Sequence, residues 1–190
     1  MKRMTFHRIC RKGMFLALLL SLTARAGDQP GTADVQASPK ARADFAAAMQ
    51  YIKAVEYEKA ISLFNKVSAQ SPNNPVPYID LALVYRKMQN LTLAEENLKQ
   101  AIKADPWNPV ANNELALLYR KTGRFAEARK IYEKILDKYP NFAIAHKNLG
   151  ILCDLYMNDN ACALKHYEIY SSFMPNDAAA RIWIADLKAR

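Results

Sequence analysis

Glycine is scarce in this chain of 190 residues: there are five, at positions 13, 27, 31, 123 and 150. No GxGxxG and no GxxxxGK followed by Ser or Thr can be assembled from them, which excludes the usual dinucleotide and P-loop nucleotide sites. Long apolar runs are also missing. The run Met14 to Leu22 has nine residues, whereas a membrane span needs about 20. Acidic residues are absent from residues 1–26, which carry Lys2, Arg3, Arg8, Arg11, Lys12 and Arg25. The formal charge of +9 therefore falls to +3 for the rest of the chain, too little for the basic footprint of a nucleic-acid binder. No HExxH, CxxC or Gly-x-Ser-x-Gly occurs, so the common zinc-protease, thiol-redox and serine-hydrolase signatures are excluded.

The ends of the first segment carry a recognisable order. Basic residues from Lys2 to Lys12 precede the apolar run. Thr23-Ala24-Arg25-Ala26 follows it, with small residues placed for cleavage before Gly27. We expect residues 1–26 to be a cleavable export signal and the mature chain to be a soluble periplasmic protein without a stable membrane span. Cys10 precedes the apolar run and no cysteine follows it before residue 153, so a lipid-bearing cysteine is not expected either. Residues 27–40 have one bulky aliphatic, Val35, and are expected to form a flexible lead.

Past that lead the chain repeats every 34 residues. Tyrosines stand at 51, 85 and 119; small residues at Ala48, Ala82, Ala116 and Gly150, and again at Ala60, Ala94 and Ala128. Large residues follow the second column at Phe64, Leu98 and Tyr132, and prolines close the units at Pro72, Pro106 and Pro140. In the fourth unit Ala163, Tyr167 and Pro175 each come one residue late, which puts an extra residue in the turn around Met157 to Asn160. Within a unit the apolar spacing is helical. Leu115, Leu118 and Tyr119, then Phe125, Ala128, Tyr132, Ile135 and Leu136, recur at threes and fours, so each half presents one stripe. Lys121-Thr122-Gly123-Arg124 reads as the turn between them, with Gly123 free to take the left-handed conformation. The small columns let two helix axes approach while a large residue fills the remaining gap.

The spacing, the Leu81-Ala82-Leu83-Val84-Tyr85 and Leu115-Ala116-Leu117-Leu118-Tyr119 blocks, Gly123-Arg124-Phe125-Ala126-Glu127-Ala128 and Asp105-Pro106 resemble the tetratricopeptide repeat. The resemblance implies an all-α, right-handed superhelical solenoid of about four hairpins (41–74, 75–108, 109–142 and 143–177) and a capping helix over 178–190. It also implies a concave face, lined by the first helix of each pair, that binds peptides or protein segments. Tyr167 to Lys188 looks similar to envelope repeat proteins associated with pilus, secretion or energy-transduction complexes.

Projecting the first helices inward gives the candidate groove: Phe45, Met49 and Ile52; Val76, Ile79, Leu83 and Arg86; Val110, Asn113, Leu117 and Arg120; Ile144, Lys147 and Ile151. Met49, Leu83, Leu117 and Ile151 form one column at 34-residue spacing. That stripe either receives an apolar segment or is covered by the curl of the superhelix. The basic ridge Lys53, Arg86, Lys87, Arg120 and Lys121 is either an acidic-ligand site or a solvated edge. Some members of the family hold a C-terminal carboxylate with a Lys and Asn pair in the first repeat. Phe45 and Met49 occupy those places here, so that clamp is not carried over; Asn113 and Lys147 offer a different pair of donors.

The fourth unit has Cys153 in the tyrosine column and Asn160 at the aromatic position of the turn, which points to a looser or specialised hairpin. Cys153 and Cys162 are either joined as a disulfide or packed as two separate thiols. Cys162 and His166 lie on one helical face, but no oxyanion hole accompanies them. The set Cys153, Cys162, His146 and His166 lacks metal-ligand spacing. We expect no catalytic residue, metal or cofactor. The expected function is a non-enzymatic adaptor that binds another envelope protein or peptide segment, with a self-assembling scaffold as the alternative. The oligomeric state is left open.

Overall fold

The computed structural model describes residues 38–190; the expected export signal and nearly all of the expected lead lie outside these. Among the described residues there are nine helices and no strand: α1 (Pro39–Lys53), α2 (Tyr57–Gln70), α3 (Pro75–Lys87), α4 (Leu91–Ala104), α5 (Pro109–Lys121), α6 (Phe125–Lys138), α7 (Ala143–Leu155), α8 (Asn160–Phe173) and α9 (Ala178–Ala189). Consecutive helices pair as four hairpins, and α9 closes the stack against α8. α1 starts at Pro39, two residues before the boundary placed at 41. Ser38 caps it by accepting from the Ala41 N–H, and proline fits its first turn.

Side-chain caps start most of the other helices. Asn74 and Asn108 each accept from a backbone N–H of the helix they precede, with Pro75 and Pro109 directly after them. Asn90, Asp159 and Asp177 do the same for α4, α8 and α9. The closing prolines, Pro72, Pro106 and Pro140, sit in the links between hairpins, where a missing N–H costs no helical hydrogen bond.

The turns inside the hairpins share one geometry. The N–H of Glu56 donates to the Tyr51 carbonyl, Asn90 to Tyr85 and Arg124 to Tyr119, each closing the first helix around a residue with positive φ: Val55 at 63°, Gln89 at 60° and Gly123 at 80°. Only the third uses glycine. In the fourth turn the extra residue lengthens the link, Asn158 takes the positive φ, and Asp159 reaches back to the Cys153 carbonyl. A β-branched side chain is strained there. Val55→Gly is expected to raise the unfolding free energy by about 0.5–1 kcal/mol, the relief of left-handed strain exceeding glycine's extra chain entropy. Urea titration measures this directly, because the Val55 side chain is exposed and gives up little packing.

The small columns are buried where the helices cross: Ala48, Ala60, Ala82, Ala94, Ala116, Ala128 and Ala163 are all sealed from solvent. Gly150 completes the first column. A Cβ built on it lies 2.6 Å and 2.7 Å from two ring atoms of Tyr167, so the aromatic occupies the space that an alanine methyl fills in the other units. The fourth hairpin is therefore no looser than the rest: Leu149, Leu152, Cys153, Ala163 and Tyr167 are fully buried. Cys153 and Cys162 are joined as a disulfide across this hairpin, with Cα atoms 5.9 Å apart.

Candidate functional site

The first helices of successive hairpins touch one another, α3 with α5 and α5 with α7, and their shared side is the inner face. Side chains one repeat apart meet there. Arg86 Nη1 donates to Glu114 Oε2 at 2.5 Å, and Asn148 Nδ2 donates to Asn113 Oδ1 at 2.9 Å. Lys147 Nζ lies 3.3 Å from Asp177 Oδ2, which also accepts the Tyr170 hydroxyl at 2.6 Å. The Tyr170 hydroxyl, with Lys147 behind it, holds Asp177 below the usual carboxylate range. This ladder ties the hairpins together along the groove.

The candidate groove residues divide on this geometry. Phe45 turns into the first hairpin, its ring 5.4 Å from that of Phe64, and Met49 and Ile52 pack on the same cluster. Ile79 is buried between Ala101 and Ala111. Asn113 is buried and engaged by Asn148; Lys147 is engaged by Asp177 and Tyr170. These two donors are thus taken up within the chain instead of being presented to a ligand carboxylate. Leu83, Leu117 and Ile151 recur one repeat apart and are half-buried, Leu83 and Ile151 also packing in part on the core; Arg86 and Arg120 follow Leu83 and Leu117 by three residues in α3 and α5. Tyr156 was not in any sequence column. It projects from the longer fourth turn, 5.0 Å from the Phe125 ring and 5.8 Å from the Arg120 guanidinium.

The ladder has a mismatch at its start. Asp80 stands one repeat before Glu114, but the residue corresponding to Arg86 is Ile52, and Asp80 forms no ion pair among the described residues. Burial pushes its carboxyl up to about 6. Because the folded value is raised above the unfolded one, the folded chain holds the proton longer, and stability falls as pH rises from about 4 through 6. Asp80→Asn is expected to stabilise the chain by about 2 kcal/mol at pH 8 and by nothing at pH 3.5, measured as the pH dependence of the thermal midpoint.

A second recess lies between α6 and α8, lined in part by Arg129, Glu133, His146 and His166. The two imidazoles stack, with Nδ1 atoms 2.8 Å apart, and His146 Nε2 is 2.9 Å from the Pro140 carbonyl. That carbonyl fixes the proton on Nε2 of His146, so its Nδ1 accepts from His166. Burial, and then His146 itself, lowers His166 to about 4, and burial also lowers His146. The pair is neutral and self-satisfied at neutral pH. Cys153, Asp159 and Cys162 converge nearby, but joined sulfurs supply no thiolate ligand. The cysteines and histidines do not form one cluster.

Residues 87–149 match the tetratricopeptide repeat family model, in phase with the repeats and with helical hairpins that continue the pattern on both sides. Residues 87–149 are tetratricopeptide repeats, and the described chain folds as a tetratricopeptide solenoid. Solved structures agree on the solenoid. A crystal structure of MamA superposes with a TM-score of 0.67 at 20% identity, over 77% of this chain and 80% of that one. PilF of Pseudomonas aeruginosa gives 0.69 at 22%, over 77% and 67%. YrrB, described as a tetratricopeptide repeat protein with an unusual peptide-binding site, gives 0.61 at 21%, over 74% and 72%. No curated protein matches the chain. In this tetratricopeptide solenoid no described helix is long and apolar enough to cross a membrane.

Proposed function

We propose that the protein is a non-enzymatic adaptor that binds a peptide or protein segment in its inner groove. The observation that carries this is the row Leu83, Leu117 and Ile151, half-buried at 34-residue spacing on the face where consecutive first helices meet. Apolar side chains that keep part of their surface in solvent beside fixed polar groups suit an extended or helical guest. The order of basic, apolar and small residues over 1–26 supports export to the periplasm. The likeness of Tyr167 to Lys188 to envelope repeat proteins favours a role in assembling a pilus, secretion or energy-transduction complex.

Capture from periplasmic and membrane extracts tests the reading, with a Leu83→Glu, Leu117→Glu variant shown to be helical by circular dichroism. A partner retained by the parent and lost by the variant is the expected result. Identical capture by both moves the binding face elsewhere. A mass that rises with concentration, with nothing captured, favours a self-assembling scaffold instead.

A further inference from the structure

We propose that the edge of the stack formed by the hairpin turns docks on an anionic phospholipid surface. The inference goes beyond the groove reading and does not depend on it. Each first helix ends at a turn, and the second helix returns the chain to the opposite edge, so the turns at 54–56, 88–90, 122–124 and 156–159 share one side. Contacts join them in order. Lys121 Nζ donates to Gln89 Oε1 at 2.9 Å between the second and third turns. Between the third and fourth, the Tyr156 ring lies 5.0 Å from that of Phe125.

Apolar tips supply the first reason. Val55 and Leu155 are 66% and 67% exposed, and Met88 and Tyr156 are exposed with them. Val55 also holds a β-branched side chain at a φ of 63°. Strain of this kind persists where something offsets it, and so exposed a side chain gains little packing within the chain. A contact outside the chain would offset it. Charge supplies the second reason. Lys53, Lys87 and Lys121 end α1, α3 and α5 at this edge, exposed and without an ion pair among the described residues. Arg120 Nη1, next to Lys121 in sequence, has no hydrogen-bond partner there either. The acids near the turns are mostly engaged: Glu56 with Lys59, Glu95 and Glu127 with Arg124, Asp154 with Arg190 and Asp159 with Arg129. Glu58 is the exception. The charge left over is cationic, with apolar side chains set among it, which is the composition that adsorbs to anionic headgroups and inserts between them. The opposite edge differs. There Trp107 lies under Lys134 and Lys138, and Asp105 and Asp137 add negative charge beside them.

The test uses residues 27–190, which contain every described helix, so that the basic stretch from Lys2 to Lys12 does not itself reach the lipid. Cosedimentation is measured with vesicles of equimolar phosphatidylglycerol and phosphatidylethanolamine, and with vesicles of phosphatidylcholine alone. Binding is expected to the first and not to the second, and should weaken as salt is raised. Lys53→Gln, Lys87→Gln, Lys121→Gln is expected to weaken it about a hundredfold, roughly fivefold for each lysine. Lys103→Gln, Lys134→Gln, Lys138→Gln makes the same charge change at the opposite edge and should leave binding nearly intact. Val55→Gly, Leu155→Ser should weaken binding about tenfold. Since Val55→Gly is expected to stabilise the fold, that loss separates docking from folding. Absence of vesicle binding, equal binding to phosphatidylcholine, or equal loss with the two lysine triples overturns the proposal. So does binding that is untouched by Val55→Gly, Leu155→Ser. None of these outcomes bears on capture in the groove.

Discussion

Tyr167→Ala is expected to lower the unfolding free energy by about 3–5 kcal/mol. The ring is 1% exposed and stands over Gly150, where a Cβ would come within 2.6 Å of it. On its other side it lies 5.1 Å from the Trp183 ring, and its hydroxyl donates to Asp154 at 3.4 Å. Truncation thus empties the junction of α7, α8 and α9 together. Gly150 makes the void worse than at other units, since no methyl stands opposite to close it. In a stack where each unit touches only its neighbours, the damage should stay local. Hydrogen exchange should show protection lost across α8 and α9 while α4 to α6 keep theirs. A uniform loss along the whole chain would show that the hairpins unfold as one body.

Removing the disulfide should have the next largest effect. Cys153 and Cys162 are nine residues apart in sequence, and closing a loop of that size restricts the unfolded chain by about 2.5–3 kcal/mol. Cys153→Ala, Cys162→Ala is expected to lose about that much, read from urea unfolding in parallel with the reduced parent. The double variant should fall somewhat below the reduced parent, because Cys153 is fully buried and a methyl leaves unfilled the space its sulfur occupies. If the oxidised parent is no more stable than the reduced one, the bond constrains nothing that the hairpin's own packing does not already fix. Disulfides persist in oxidising compartments, so this bond also accords with the export proposed from residues 1–26.

The hairpins were legible because their information is local and repeated. A small residue every 34 positions can serve only where helices cross, and the late arrival of Ala163 and Tyr167 located the lengthened turn correctly at Met157 to Asn160. The left-handed positions at Val55 and Gln89 were not legible, since neither residue type announces that conformation and only the hydrogen bonds that close the turn impose it. How the candidate groove side chains pack was not legible. Helical phase selects the inward side of a helix but does not separate a side chain facing the next hairpin from one facing open space. Phe45 packs its ring against Phe64, and Ile79 is buried in one cluster with Ala101 and Ala111. The contacts of Asn113 with Asn148 and of Lys147 with Asp177 span 35 and 30 residues and depend on how one hairpin is rotated against the next. Tyr156 belongs to the turn that broke the period, so no column pointed to it.

The fourth turn already carries one residue more than its three counterparts, and α7 and α8 pair across it with a fully buried core. The hairpin bend is thus a place where chain length is negotiable without altering which faces meet. A short epitope or fluorophore-bearing loop spliced after Asn158 would ride on the solenoid as on a splint, held by Asp159 and the disulfide below it. The position offers an attachment point for following the protein in its own setting.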